Sequence, residues 1–426
     1  MLTASQVQNI LHFNAALASH PALASAIAHH SNDDAESVAI EVFANAAWSA
    51  ITEPGDEFAG SLRQAFGAAQ ALAFVVRGDE VGSWLKHLEN VGMADSLANT
   101  FGSLPVTIAE SLDRWRPRIS QNRVVGLLDV AAAQKIQLVT SSSQYWPSNL
   151  NDLEAAAPSL LWVRGAASAM NRLNRSWALV GSRVATNYGI EATSMLVQGL
   201  ADADFAIVSG GAFGIDAAAH RASLALGAPT VAVMAGGLDR LYPRSNEQLF
   251  ERILEKDVIV SEVAPGTSPT KWRFLQRNRI IAALSQGTCV VEAGYRSGAI
   301  NTANHAVGLG RAVGAVPGSV FAPTSAGTNR LIVEQKAQLV TSASDLIAMV
   351  ESASGSDILT FDFQESRQAE LMPLDTRVYD AIGLGAASPE QICERGGLTA
   401  HEARLGLTSL VRLGLVSPRG SKWARA

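Results

Sequence analysis

From Val124 onward the chain alternates short, almost wholly apolar segments with amphipathic ones, and no other feature constrains the fold as tightly. The candidate strands are Gln137–Thr140, Ser159–Val163, Trp177–Val180, Phe205–Val208, Thr230–Met234, Val258–Val260, Thr288–Glu292, Ala312–Ala315 and Gln338–Thr341. Several are continuous apolar runs, as a strand covered on both faces requires. Helices are expected between them over Tyr188–Ala203, Asp216–Leu226, Ser245–Leu254, Asn278–Ser285 and Ile300–Leu309. Strand–helix alternation of this kind specifies an α/β protein with a doubly wound, mostly parallel sheet. Ligands of such sheets bind where the strands end, at the carboxyl edge.

The flanks differ in texture. Residues 1–116 read as helices throughout, with apolar side chains at spacings of three and four over Glu36–Ala50 and Phe58–Val76. A turn, Thr52-Glu53-Pro54-Gly55-Asp56, separates those two helices. Residues 351–373, rich in Ser and acids, read as a linker. Beyond it, three helices are expected over Asp375–Ile382, Ser388–Glu394 and Thr399–Leu413, the last opening on the capping box Thr399-Ala400-His401-Glu402. A tail resembling a two-strand hairpin follows, so residues 374–426 are expected to form a winged helix. Residues 122–350 are the sheet domain between these flanks.

A chain of 426 residues, 48% hydrophobic and 17% charged, has enough apolar surface for two or three domains. Its apolar runs are shorter than a membrane span, and no signal peptide is read at its start. Cys289 and Cys393 lie far apart, which excludes a disulfide framework and fits a reducing cytoplasm. The net charge of −6 is unevenly spread. Residues 1–150 carry 8 Lys and Arg against 14 Asp and Glu, whereas residues 171–340 carry 16 against 12. The central segment can therefore attract a polyanion, provided its cations converge on one face.

Four strand ends carry unusual loops, all expected on one edge of the sheet. They are Val180-Gly181-Ser182-Arg183, the run Ser209-Gly210-Gly211-Ala212-Phe213-Gly214-Ile215-Asp216, the segment Glu292–Thr302 containing Ser297 and Gly298, and Val316-Pro317-Gly318-Ser319. In the second, glycines are expected to let the backbone approach a ligand, with N–H groups of the following helix pointing at an anion. Arg277, Asn278 and Arg279 stand just before an apolar helical run. Two arginines at a helix start oppose its dipole, so they are read as phosphate ligands or as ion-pair partners of Asp216, Glu262 or Glu292.

Other chemistries lack their signatures. There is no P-loop, dinucleotide fingerprint or nucleophile elbow, so no cofactor is expected. The eight histidines show no ligand spacing, which argues against a metal site. Ser182, Ser209 and Ser297 have no evident base nearby, and no catalytic residue is assigned. His220, one turn after Asp216, is expected to bond to it.

Taken in order, the motifs resemble the DprA/Smf family of DNA-processing proteins. The resemblance covers residues 122–350 and rests on Tyr145-Trp146-Pro147, Gly181-Ser182-Arg183, Ser209–Asp216 with Ala219-His220, Gly236-Gly237-Leu238-Asp239 with Tyr242-Pro243, Ser261-Glu262, Phe274 with Arg277-Asn278-Arg279, Glu292 with Ser297-Gly298, and Pro317-Gly318. The helical front end is similar to the SAM-like domains, and the tail to the winged helices, that many members carry. The resemblance implies a Rossmann-like domain that binds single-stranded DNA, works as a homodimer, shields incoming strands and helps load the RecA recombinase in natural transformation, without enzymatic turnover.

The family's anion pocket maps onto Arg183, Ser209, Gly210, Gly211 and Gly214, with Lys271, Arg277 and Arg279 at the rim. Ser182, Asn278, Ser297 and Gly298 belong to the same loops. Two departures are visible: Pro229 stands where members often have Lys, and Leu275-Gln276 follow Phe274 where Pro is usual. Arg244 and Lys271 are the expected substitutes for the missing cation. The homodimer is expected to use Ile300, Ala303, Ala306, Val307 and Leu309. Two other functions fit a glycine-looped sheet. One is a nucleotide hydrolase of the lysine-decarboxylase-like kind, against which Ser297–Asn304 offers no carboxylate. The other is a nucleotide-sensing scaffold whose winged helix reads duplex DNA, although Thr399–Leu413 leaves little polar face for bases.

Overall fold

The computed structural model describes residues 2–30, 34–352, 372–383 and 385–425. Most of the expected linker, 351–373, lies outside them. All nine expected strands join one sheet: β1 (Ile136–Val139), β2 (Leu161–Gly165), β3 (Ser176–Val180), β4 (Ala206–Ser209), β5 (Thr230–Met234), β6 (Val258–Ser261), β7 (Gly287–Val290), β8 (Ala312–Ala315) and β9 (Gln338–Leu339). Their order is β1-β2-β6-β5-β4-β3-β7-β8-β9. β6 through β9 pair in parallel, while β1 and β2 add an antiparallel edge. The chain moves outward from β3 through β4, β5 and β6, then returns to place β7 on the other side of β3. That reversal makes a switch point, with the crevice at the carboxyl ends of β3 and β7.

Period-two alternation assigns the faces. Val231 and Val233 of β5, Val258 and Val260 of β6, and Leu161 and Val163 of β2 face the apolar cluster containing Ile280–Leu284 of the helix Lys271–Leu284. Ala232, Met234, Ile259 and Trp162 face the other way. There they share one apolar cluster with Phe43, Trp48, Leu62, Trp115 and Leu128 of the N-terminal helices. Those helices therefore serve as a covering layer on this half of the sheet. Polar contacts secure the join, with Trp162 Nε1 donating to Ser49 Oγ at 3.3 Å and Ser159 Oγ to the Asn45 carbonyl at 3.1 Å. On the other half, the helices Asn187–Asp202, Ile215–Leu226 and Ala343–Ser352 supply the layer.

At the C-terminal end, helices Pro373–Ile382, Pro389–Gly396 and Ala400–Arg412 are followed by the antiparallel pair β10 (Val416–Arg419) and β11 (Lys422–Arg425). The expected capping box forms, with Thr399 Oγ1 accepting from Glu402 N–H at 3.1 Å and Glu402 Oε2 from Thr399 N–H at 2.8 Å. This unit has its own small core around Val378, Ile392, Leu407 and Leu410. It leans on the rest of the chain through polar contacts. Trp272 N–H donates to Asp380 Oδ2 at 3.0 Å, and Arg118 Nε to the Glu394 carbonyl at 3.2 Å. Among the described residues, no helix is long and apolar enough to cross a membrane.

Candidate nucleic-acid interface

The loops after β3 and β4 meet at the switch point. Ser182 shapes the first: its N–H donates to the Glu292 carbonyl at 2.7 Å, and its Oγ accepts Val184 N–H at 3.1 Å. This turn holds Arg183 out in solvent. The second loop is welded to the first by Ile215 N–H donating to the Ser182 carbonyl at 3.1 Å. Ser209 lies beneath, fully buried, with Oγ donating to the Leu179 carbonyl at 2.6 Å.

Inside the protein, each of the three glycines makes room for a packed neighbour. Gly210 leaves room for the Arg277 guanidinium. Gly211 has φ +64°, and a Cβ there would lie 2.8 Å from both Met234 Cε and Phe250 Cε1. Gly214 has φ +74°, and its Cβ would run into the backbone of Ser182 and Arg183.

The loop already holds one anion of its own. Asp216 Oδ2 accepts the N–H groups of Gly210 at 3.2 Å and Ala212 at 3.4 Å. Burial pushes this carboxyl up despite the Arg277 charge nearby. Among the described residues, the N–H groups of Gly211, Phe213 and Gly214 have no intramolecular acceptor. Backbone donors beside a helix N-terminus, here Ile215–Leu226, make an anion-binding concavity.

Arg277 and Arg279 are not at a helix start. The helix begins at Lys271, capped by Thr270 Oγ1 accepting Arg273 N–H at 3.2 Å, so both arginines sit in its interior and are buried. Two residues along a helix rotate by about 200°, and the pair is accordingly split. Arg277 points toward the glycine loop, where Nη1 donates to the carbonyls of Gly210 at 2.8 Å and Val233 at 2.5 Å. Burial brings it down to about 10, so it stays cationic at neutral pH. Arg279 points the opposite way and is taken by Glu262 in a buried ion pair. Asn278 pins the third loop, its Nδ2 donating to the Gly298 carbonyl at 3.2 Å. Ser297 caps the helix Gly298–Gly308 by accepting Ala299 N–H at 3.3 Å. Among the described residues, Glu292 pairs with no arginine. It accepts from Thr186 N–H at 2.9 Å and Thr186 Oγ1 at 2.6 Å, at the start of the helix Asn187–Asp202.

What the fold gathers at the rim is a cationic and aromatic row. The Arg183 guanidinium lies 4.8 Å from the centroid of Phe274, and Tyr242 packs on Phe274 at 6.0 Å. Lys271, one turn before Phe274, is exposed, and so is Arg244, two residues after Tyr242. Asn246 ties that turn to the glycine loop, its Nδ2 donating to the Gly211 carbonyl at 3.1 Å. Tyr242 and Phe274 enter the family resemblance without being assigned to the anion site. The signal that finds them is an aromatic within reach of one arginine on a loop, Arg183, and one on its own helix, Arg277, since stacking rings and cations together suit unpaired bases and their backbone.

His220 does not bond Asp216. It is fully buried, with Nδ1 2.7 Å from Thr230 Oγ1, and burial holds it down to about 3 from the usual 6.5. Its neutral form is the one the fold accepts. The stability tied to that form is complete above pH 6.5 and is lost as pH falls toward 3. His220→Gln should flatten the melting temperature between pH 6.5 and 4 relative to the native chain, as read by circular dichroism. An unchanged acid slope would show that His220 does not set it.

A family model described as DNA recombination-mediator protein A matches residues 137–351. The putative DNA processing protein DprA of Mycobacterium tuberculosis is 41% identical over 272 residues, which are 63% of this chain and 68% of that protein. The DNA processing protein DprA of Streptococcus pneumoniae is 37% identical over 238 residues, 55% of this chain and 83% of that one. The X-ray structure of DNA processing protein A from Streptococcus pneumoniae aligns with a TM-score of 0.56 at 30% identity, covering 71% of this chain and 95% of the other.

Proposed function

From the premise that this chain belongs to the family of DNA recombination-mediator protein A, we propose that it binds single-stranded DNA along the carboxyl edge of its sheet. There it shields the strand and hands it to a RecA-type recombinase in the cytoplasm, as a mediator without turnover. The observation that carries this reading is the Arg183–Phe274–Tyr242 row beside the unpaired N–H groups of Gly211, Phe213 and Gly214. A phosphate fits the backbone concavity, an unpaired base fits the ring, and duplex DNA presents no base face to stack.

Direct phosphate contact falls to Arg183, Arg244 and Lys271, the exposed cations. Arg277 acts from beneath, through its charge and its hold on Gly210. Anisotropy titrations of the full chain with a dT oligonucleotide and its duplex, over a salt series, test the proposal. Arg183→Ala should weaken single-strand binding about tenfold and reduce the log–log salt slope by about 0.7 for one lost phosphate. Phe274→Ala should weaken it by about 1–3 kcal/mol through lost stacking. Tighter binding of duplex, or unchanged affinity and slope in both variants, would overturn it.

The homodimer also belongs to this proposal, on a different surface from the one expected. Ala303 and Ala306 are fully buried against the sheet, and Ile300, Val307 and Leu309 pack beside them, so that stripe is core. Val320, Phe321 and Val333 are instead 84%, 93% and 81% exposed, and Leu339 on edge strand β9 is exposed with them. Apolar exposure around a short strand edge favours self-association there. For the C-terminal unit we propose a winged helix that docks a protein, because its last helix and turn expose the large apolar side chains Leu405, Val411 and Leu413, among polar ones such as Arg404 and Arg412.

A further inference from the structure

Across the crevice from the glycine loop stands the segment that joins β7 to the helix Gly298–Gly308. β7 pairs in parallel with β3, and Val290 stands opposite Val180. Neighbouring strands lie about 4.8 Å apart. Arg183 follows Val180 by three residues and Tyr295 follows Val290 by five, so the two loops leave the sheet side by side and on the same edge.

Both ends of this segment are tied to the elements that carry the cationic and aromatic row. Before Tyr295, the Glu292 carbonyl accepts Ser182 N–H at 2.7 Å, from the turn that presents Arg183. After it, the Gly298 carbonyl accepts from Asn278 Nδ2 at 3.2 Å, on the helix that carries Phe274. Tyr295 and Arg296 occupy the span between these two anchors, and both are exposed.

What the span presents suits a nucleotide. The Arg330 guanidinium lies 4.7 Å from the centroid of Tyr295, and Arg330 is itself held by Glu334 one turn along its helix. Its charge is spent inside the protein, so Arg330 serves as a support. The ring it steadies is still 60% exposed. Arg296 differs: among the described residues its guanidinium has no hydrogen-bond or ion-pair partner. An open ring beside an unspent cation is the combination that holds a base and its phosphate without reading sequence.

We propose that Tyr295 and Arg296 form a second subsite for the same single strand, Tyr295 stacking a base and Arg296 taking a phosphate. The strand crosses the sheet edge from Tyr242 and Phe274, over Arg183, to the loop after β7. This rests on the carboxyl-edge binding proposed above and lengthens it, so that affinity grows with oligomer length beyond the nucleotides held at Arg183 and Phe274.

Anisotropy titrations of the full chain with dT oligomers of about 4 and about 16 nucleotides, the span of site sizes in single-strand grooves, test it. Tyr295→Ala should weaken the longer oligomer about tenfold through one lost stack. Tyr295→Phe keeps the ring and should bind like the native chain. Arg296→Gln should lower the log–log salt slope for the longer oligomer by about 0.7. All three variants should bind the short oligomer as the native chain does, whereas Arg183→Ala should weaken both lengths. If Arg183→Ala weakens neither, the carboxyl-edge reading fails and takes the subsite with it. If Arg183→Ala behaves as expected but Tyr295→Ala or Arg296→Gln binds the longer oligomer like the native chain, the subsite alone fails. It is also overturned if Tyr295→Phe is as weak as Tyr295→Ala, or if Tyr295→Ala weakens both lengths equally, which would make the ring a support for the Arg183 turn. Arg330 shares its helix with the exposed Val333, so sedimentation of Tyr295→Ala completes the test: a lost dimer accompanying the lost affinity would assign the ring to self-association instead.

Discussion

Gly214→Ala is expected to cost about 3 kcal/mol of stability and to abolish single-strand binding by whatever remains folded. At φ +74° and ψ −124° the residue occupies a region that side chains other than glycine scarcely enter, at a cost of about 1–3 kcal/mol. The new Cβ would also run into the Ser182 carbonyl and lie 2.8 Å from the Arg183 carbonyl carbon. Both neighbours are backbone, so relief requires moving the turn that presents Arg183. Stability and binding therefore fall together. Gly298→Ala is the control: a Cβ there would meet no heavy atom within 4 Å, and its φ is ordinary, so stability should change by less than about 0.5 kcal/mol. Urea unfolding and oligonucleotide titration of both variants decide the matter. A Gly214→Ala protein with native stability and affinity would mean that the two loops are not mechanically joined.

Arg279→Ala separates scaffold from site. Its buried partner Glu262 would keep a charge without its ion pair, and breaking a buried pair from one side costs about 3–5 kcal/mol. The folded fraction should still bind dT oligonucleotide with native affinity and salt slope, since Arg279 points away from Arg183 and Phe274. Arg183→Ala should show the reverse, with a melting temperature near native and a weakened, less salt-sensitive complex. If Arg279→Ala is fully stable and loses affinity, the assignment of these two arginines must be exchanged.

Much of this architecture was legible in residue order. Apolar runs such as Thr230–Met234 and Val258–Val260 can be covered only on both faces, so all nine strands and their layered setting follow from local pattern. Caps such as Thr399 with Glu402 are equally local, because donor and acceptor lie within one turn. The helix start before Arg277 was not legible. Lys271-Trp272-Arg273-Phe274-Leu275-Gln276 buries two different faces, toward the loops on one side and the N-terminal helices on the other. No single apolar stripe announces such a helix.

That divided helix marks the boundary between what residue order determined and what tertiary structure decided. Sequence alone determined the strands, the parallel order of loops along one edge, and the glycine turn that opens Ile215–Leu226. Tertiary structure decided that Arg277 stands under that turn while Arg279 is spent on Glu262, that Asp216 fills part of the nest, and that Phe274 meets Arg183 and Tyr242. It also decided that the N-terminal helices complete the covering of the sheet. The reason is range: periodicity and capping act within a turn or a strand, whereas the direction a buried charge takes depends on partners tens to hundreds of residues away, and only packing brings those together.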